Sequence, residues 1–260
     1  MPIGLIETLS GPRGLQLAFQ RSQGVGPTLV WLCGFRSDMA GTKAAALHAW
    51  AQATGRAFLR FDYSGNGRSQ GAFTDGDISA WLADTLALLD ACTEGPLALV
   101  GSSMGGWLAL LAARARPHRV KGLVLIAPAP DFTERLMWPE LPDDARRAIM
   151  ETGRWDRPSA YGDGPTPITR QLIEDGRHHL LMNGAIPFDG PVRILHGQLD
   201  PDVPWRLSLE LAGALRSANV QVTLVKSGDH RLSTPGDIAL LQMTVCALCA
   251  ELTHDGGGRP

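Results

Sequence analysis

Apolar positions along this chain fall into two alternating patterns: short unbroken runs, and longer stretches with helical period. The runs at Thr28 to Cys33, Arg56 to Phe61, Leu97 to Val100, Val120 to Ala127, Pro191 to His196 and Val220 to Val225 read as strands buried on both faces. Between them, helical spacing predicts helices over Met39 to Thr54, Asp77 to Ala91, the stretch from Ser103 to just before Pro117, Val203 to Arg216, and Pro235 to Leu252. Ahead of the first run, residues 5 to 20 alternate apolar and polar around Gly11-Pro12-Arg13-Gly14, the pattern of a β-hairpin at an antiparallel edge. Thr253 to Pro260 read as a frayed end. Strand alternating with helix predicts an α/β architecture, a mostly parallel sheet with helices on both faces and its site at the carboxyl ends of the strands.

From Asp131 to Gly190 that rhythm stops. The segment is polar and proline-rich, carries Trp138, Trp155 and Tyr161, and predicts two short amphipathic helices, Pro142 to Thr152 and Ile168 to His179, with a turn-rich piece between them. Residues 131–190 are therefore expected to be an insertion within one domain spanning 1–260. Lying just before the last strands, it is expected to act as a lid that supplies an apolar pocket; a peripheral decoration is the alternative.

Composition narrows the function classes. Charge is nearly balanced, with 24 basic against 26 acidic residues and no basic cluster, which argues against nucleic acid as a partner. No apolar run of the length a membrane span requires stands out, and the N-terminus reads neither as a signal nor as a transit peptide, so a cytoplasmic protein is expected. Cys33, Cys92, Cys246 and Cys249 lack the spacing of a disulfide framework. Cys246 and Cys249 lie in a helical stretch without a second ligand pair, so they read as apolar packing residues, and no metal or cofactor is expected. A monomer or small homo-oligomer is expected.

The candidate chemistry centres on Gly101-Ser102-Ser103-Met104-Gly105, a G-x-S-x-G sequence between a buried strand and an apolar helix. The glycines allow a turn too tight for a Cβ on either flank, and the turn holds Ser103 out at the strand end. Gly67-Arg68-Ser69-Gln70-Gly71 fits the same expression but lies in a glycine-rich polar stretch with no helix straight after it, so Ser69 reads as a turn or capping residue.

A serine hydroxyl needs a base, and the base needs an acid to orient it. His230, in the loop after the Val220 run, is the candidate base, and Asp200, in the loop after the Pro191 run, the candidate acid. Asp202 and then Asp131 are alternative acids; Asp229 is too close to His230 in sequence to orient it. His196, at a strand end, reads as a turn-shaping residue, with an approach to the site as the alternative. Backbone amides of Met104 and Phe35 are the expected oxyanion donors. Arg36, beside that loop, is a candidate contact for an anionic leaving group, and His178 and His179 are candidate substrate contacts in the insertion.

Several stretches carry a resemblance: Gly34-Phe35-Arg36-Ser37-Asp38-Met39 with Gly41-Thr42-Lys43-Ala44, Arg60-Phe61-Asp62-Tyr63-Ser64-Gly65, Val100 to Trp107, His196-Gly197-x-x-Asp200 with Val203-Pro204-Trp205, and Asp229-His230-Arg231. Trp155, Pro158-Ser159-x-Tyr161 and His178-His179 belong to the same set. Over its length the chain resembles α/β-hydrolase fold serine hydrolases. More narrowly it is similar to the group containing the mammalian mitochondrial acyl-glucuronide esterase, also described as a palmitoyl-protein thioesterase, as a bacterial relative would be. The resemblance implies a Ser103, Asp200 and His230 triad, and adds Trp107 and Trp155 to the candidate substrate-binding residues. It also implies a cofactor-independent hydrolase of carboxylic esters or thioesters with an apolar acyl group, acting on a small-molecule substrate or an acylated protein. Other triad chemistries (amidase, carbon–carbon hydrolase, perhydrolase) and a noncatalytic binding module are the alternatives.

Overall fold

The computed structural model describes residues 5–158 and 164–255; Ser159 and Tyr161 of the stretches above lie outside them. The hairpin forms as β1 (Glu7–Ser10) and β2 (Gln16–Ser22), paired antiparallel. There follow β3 (Val25–Leu32), α1 (Thr42–Ala53), β4 (Arg56–Phe61), α2 (Ile78–Cys92), β5 (Leu97–Ser102), α3 (Met104–Ala115) and β6 (Val120–Ile126). After the insertion come β9 (Val192–Gly197), α7 (Arg206–Ala214), β10 (Val220–Val225) and α8 (Pro235–Asp255).

These strands form one sheet in the order β1-β2-β4-β3-β5-β6-β9-β10, with every pair parallel from β4 onward. The topology is that of an α/β-hydrolase. All six residues of β5 are buried, as a central strand covered on both faces requires. Helix α1 packs with α8, and α2 with α3. At Gly122 a Cβ would stand 3.0 Å from Leu252 and 3.1 Å from Leu248, so the glycine lets α8 lie close on β6.

Several boundaries differ from expectation for local reasons. Helix α1 begins at Thr42 because Met39 to Gly41 turn into it, and Met39 N donates to Asp62 Oδ1 at 2.6 Å. Helix α7 begins at Arg206, after Pro204 and Trp205, and not at Val203. Helix α8 runs past Thr253 to Asp255.

Its stretch Pro235–Thr253 is long and apolar enough, by length and composition, to cross a membrane, which corrects the expectation that no such run exists. Here that helix lies on the sheet with Leu241, Val245, Leu248 and Cys249 buried.

The insertion differs most. A π-helical turn at Thr133–Met137 leads into a short α4 (Trp138–Glu140), then α5 (Asp143–Thr152). Next is a separate antiparallel hairpin, β7 (Arg154–Arg157) with β8 (Thr166–Thr169), then α6 (Arg170–Gly176) and a 3-10 turn at Arg177–His179. Ile168 and Thr169 are thus strand residues. Pro167 cannot donate into a helix, and the Thr169 side chain accepts from Leu172 N at 3.1 Å, which sets the helix start at Arg170.

Candidate active site

Ser103 sits between β5 and α3 with φ 55° and ψ −119°, a backbone conformation that costs a non-glycine residue about 1–3 kcal/mol. Its surroundings enforce it. Ser103 N donates to Ile126 O at 2.9 Å, and Gly106 N to Ser103 O at 2.9 Å. A Cβ on Gly101 would lie 2.3 Å from Gly105 O, and one on Gly105 2.1 Å from Leu32 O, so only glycines fit where the elbow crosses β3. The turn at Gly34 and Phe35 lies against the serine: a Cβ on Gly34 would be 3.5 Å from Ser103 Cβ.

Parallel pairing of β9 with β10 aligns Gly197 with Val225, so the two following loops leave the sheet side by side. Gln198 N donates to Val225 O at 2.8 Å and Leu199 N to Gly228 O at 2.9 Å. The contact is backbone on backbone, because a Cβ on Gly197 would stand 2.3 Å from Gly228 O. This stitching brings His230 Nδ1 to 2.7 Å from Asp200 Oδ2, and His230 Nε2 to 3.2 Å from Ser103 Oγ. An imidazole that donates from Nδ1 to a carboxylate keeps a lone pair on Nε2 for the serine hydroxyl.

The Asp200 side chain is wholly buried and fully engaged. Its Oδ1 accepts from Asp202 N and Val203 N, each at 2.8 Å; its Oδ2 takes His230 and also His196 Nε2 at 3.1 Å. Burial raises its pKa, but the two imidazole hydrogen bonds, the His230 charge and the Val203 amide outweigh burial and hold the carboxyl well below the usual carboxylate range. The ligand atoms of Asp200, Asp202 and His230 lie within 4.8 Å of one another, yet these four hydrogen bonds leave the Asp200 carboxylate no lone pair for a metal ion.

His196 is the residue that sequence reasoning undervalued. It is buried, its Nε2 faces both Asp200 Oδ2 and Val203 O at 3.0 Å, and its Nδ1 lies 2.6 Å from Ser208 Oγ. Two acceptors at Nε2 require the proton there, so the Ser208 hydroxyl donates to Nδ1. The four-residue spacing from His196 to Asp200 was the available signal.

The alternative acids are elsewhere engaged. Asp131, at φ 57°, accepts from Leu181 N at 2.8 Å and Met182 N at 2.8 Å and braces the insertion; burial pushes its carboxyl up. Asp202 is exposed, and its backbone N donates to Asp200. Cys33, next to Gly34, is buried, and burial raises its thiol pKa strongly.

A cavity of about 380 Å³ opens on Ser103 and His230, lined by Trp31 and Phe35 and by the polar residues Arg36, Asp38, Lys43 and Arg231 among others. Among the described residues, none from 131–190 lines it, so the expected apolar pocket supplied by the insertion is not part of this cavity.

The remaining candidate contacts lie as follows. Arg36, exposed at φ 54°, donates to Thr166 Oγ1 at 2.7 Å and Pro165 O at 3.1 Å. Trp107 corrects the expectation of a substrate contact: it is sealed from solvent, and its Nε1 donates to His179 O at 3.1 Å. His179 Nε2 lies 2.7 Å from Ser79 Oγ, which donates to Asp175 at 2.6 Å. His178 is exposed and lines a different hollow, with Asp77 and Asp175. Trp155 is half-buried against the core from β7.

The family described as serine aminopeptidase, S33, matches residues 29–155. The palmitoyl-protein thioesterase ABHD10, mitochondrial, of Bos taurus is 39% identical over 249 residues, 95% of this chain and 81% of its own length. The chain belongs to the ABHD10 family of α/β-hydrolases. The structure of mouse ABHD10 superposes with a TM-score of 0.88 at 39% identity, covering 96% of this chain and all of that one (100%). A hydrolase from Agrobacterium vitis S4 gives 0.89 at 43% identity, covering 94% of this chain and 99% of its own. The named ABHD10 relatives are mitochondrial, so they lend the cytoplasmic expectation no support.

Proposed function

We propose that this hydrolase cleaves carboxylic esters or thioesters with an apolar acyl group through Ser103, His230 and Asp200. The observation that carries the reading is the unbroken line from Ser103 Oγ to His230 Nε2, at 3.2 Å, and from His230 Nδ1 to Asp200 Oδ2, at 2.7 Å. As Ser103 Oγ bonds to the acyl carbon, its proton passes to His230 Nε2 and the carbonyl oxygen becomes an oxyanion. The amides of Phe35 and Met104 receive that charge, each donor worth about 3 kcal/mol in the transition state. Collapse expels the alkoxide or thiolate, which takes the proton from His230. Water then attacks the acyl-enzyme with His230 as base and releases the acid. Asp200 keeps the imidazole in the tautomer both steps need.

The name of the Bos taurus relative supports a palmitoyl thioester, which includes an acylated protein, as one substrate. An acyl-glucuronide, with a sugar carboxylate on the leaving side, is the ester counterpart. Intact mass after treatment with a fluorophosphonate probe tests the mechanism. One adduct on the wild type and on Ser69→Ala, and none on Ser103→Ala, is the expected result. No adduct on folded wild type, or an adduct that survives Ser103→Ala, overturns the reading.

A further inference from the structure

The cavity at Ser103 is unevenly charged. Arg36, Lys43 and Arg231 line it against a single acid, Asp38, whose Oδ1 accepts from Ala40 N at 2.9 Å. Lys43, on the first turn of α1, reaches across to the loop that carries His230, and its Nζ donates to Arg231 O. That carbonyl belongs to the residue after His230. The ammonium therefore lines the same cavity as Ser103 and is tied to the loop of His230, the residue that hands its proton to the departing atom.

We infer that Lys43 is a specificity-determining residue, selecting substrates that carry an anionic oxygen group, such as a carboxylate, on the leaving-group side of the scissile bond. This rests on the ester and thioester hydrolase reading above. An ammonium has three donors, and the Arg231 carbonyl takes one. A partly buried cation interacts with an incoming anion more strongly than a fully solvated one would.

Burial brings the Lys43 pKa down to about 8, with Arg231 adding to the lowering and the carboxylates of Asp229 and Asp237 opposing it. Neither acid is turned fully to the ammonium. Asp229 Oδ1 accepts from Arg231 N and Leu232 N at 3.0 Å each, and Asp237 Oδ2 from Thr234 N at 3.0 Å and its hydroxyl at 2.7 Å. Protonated Lys43 is therefore depleted as pH rises through about 8, and selectivity should fall with it.

The test compares kcat/KM for the hexanoyl esters of 3-hydroxybenzoate and 3-hydroxybenzamide, which differ in one negative charge on the leaving group. Both use the same serine and histidine, so the shared machinery cancels in the ratio. At pH 7 and low salt the anionic ester should be favoured about tenfold, as expected for one partly buried charge pair. The preference should shrink on going to pH 9 and on adding salt, measurements that need no variant.

Lys43→Met should bring the ratio near one, Lys43→Arg should keep it at pH 9, and Lys43→Glu should invert it. A wild-type ratio near one, or a ratio unchanged in Lys43→Met, overturns the inference. A lysine that only braced the Arg231 loop would alter both esters alike and leave the ratio alone, which also overturns it. Fluorophosphonate labelling run alongside separates the two readings. A wild type that is labelled but shows no preference sinks the role of Lys43 alone, whereas an unlabelled wild type sinks the triad reading beneath it.

Discussion

The chain fits the pattern G-x-S-x-G twice, at residues 67–71 and 101–105, and the two stretches show what surrounds a reactive serine as opposed to a structural one. Both need glycine: a Cβ on Gly105 would strike Leu32 O at 2.1 Å, and one on Gly67 would strike Asp62 Oδ2 at 2.2 Å. At Ser69 the glycine makes room for a carboxylate that accepts Arg68 N at 2.8 Å, and the hydroxyl is spent on backbone. Ser69 Oγ donates to Asp62 O at 2.6 Å and accepts from Ala18 N at 2.8 Å. At Ser103 the backbone N donates to Ile126 O on β6 and the carbonyl accepts from Gly106 N, the hydroxyl faces an imidazole, and a cavity lies in front of it. The motif supplies a tight turn. Reactivity depends on what the turn points at.

The sharpest way to break this contrast is to exchange alanine for each serine. Ser103→Ala should lower ester turnover on the order of 10⁵-fold while Ser69→Ala leaves it unchanged, measured as kcat on one activated ester. Equal losses would mean that the contrast is wrong.

Cutting the chain behind His230 should make Ser103 nearly as inert as Ser69. Asp200→Asn should lower kcat about 10⁴-fold, because the imidazole loses the acceptor that fixes its tautomer. The same variant carries a stability signature. The folded pKa of Asp200 lies below its unfolded value, so its contribution is present above about pH 4 and is lost as pH falls toward the folded pKa. Urea midpoints taken downward from pH 5 should therefore fall more steeply for wild type than for Asp200→Asn.

A smaller effect is expected from His196→Ala. That change leaves Ser208 Oγ and one lone pair of Asp200 unpaired in a buried site, which costs about 2–3 kcal/mol of stability by denaturant titration. Smallest of all, Ser69→Ala should cost about 1 kcal/mol with no change in rate, since it removes one partner each from Asp62 O and Ala18 N.

Much of the frame was legible from local pattern. The six strand runs, the edge hairpin and the elbow at Ser103 depend on period, glycine placement and what comes next in the chain. The expectation that Val220–Val225 is buried on both faces is corrected, since it is the edge strand of the sheet and its residues are half-buried or exposed. The 131–190 insertion was legible only as a break in rhythm. Its β7–β8 hairpin was read as turns and helix because the strands are four residues each, and Pro167 and the Thr169 cap outweigh a weak helical spacing. Trp107 is sealed from solvent, which was illegible for a related reason: an aromatic residue near a site reads the same whether it meets substrate or fastens one segment to another.

By itself, then, the sequence determined where strands and helices alternate, which serine sits in an elbow, and which histidine and aspartate leave strand ends late in the chain. These follow from short-range sterics and from burial on one or two faces. Only the tertiary structure decided that Asp200 is shared by two imidazoles, that Lys43 on α1 reaches the loop of His230, and that the exposed Arg36 bonds the insertion. Such contacts join residues up to 188 positions apart, and parallel strand register sets their distances, a long-range quantity that no local pattern encodes.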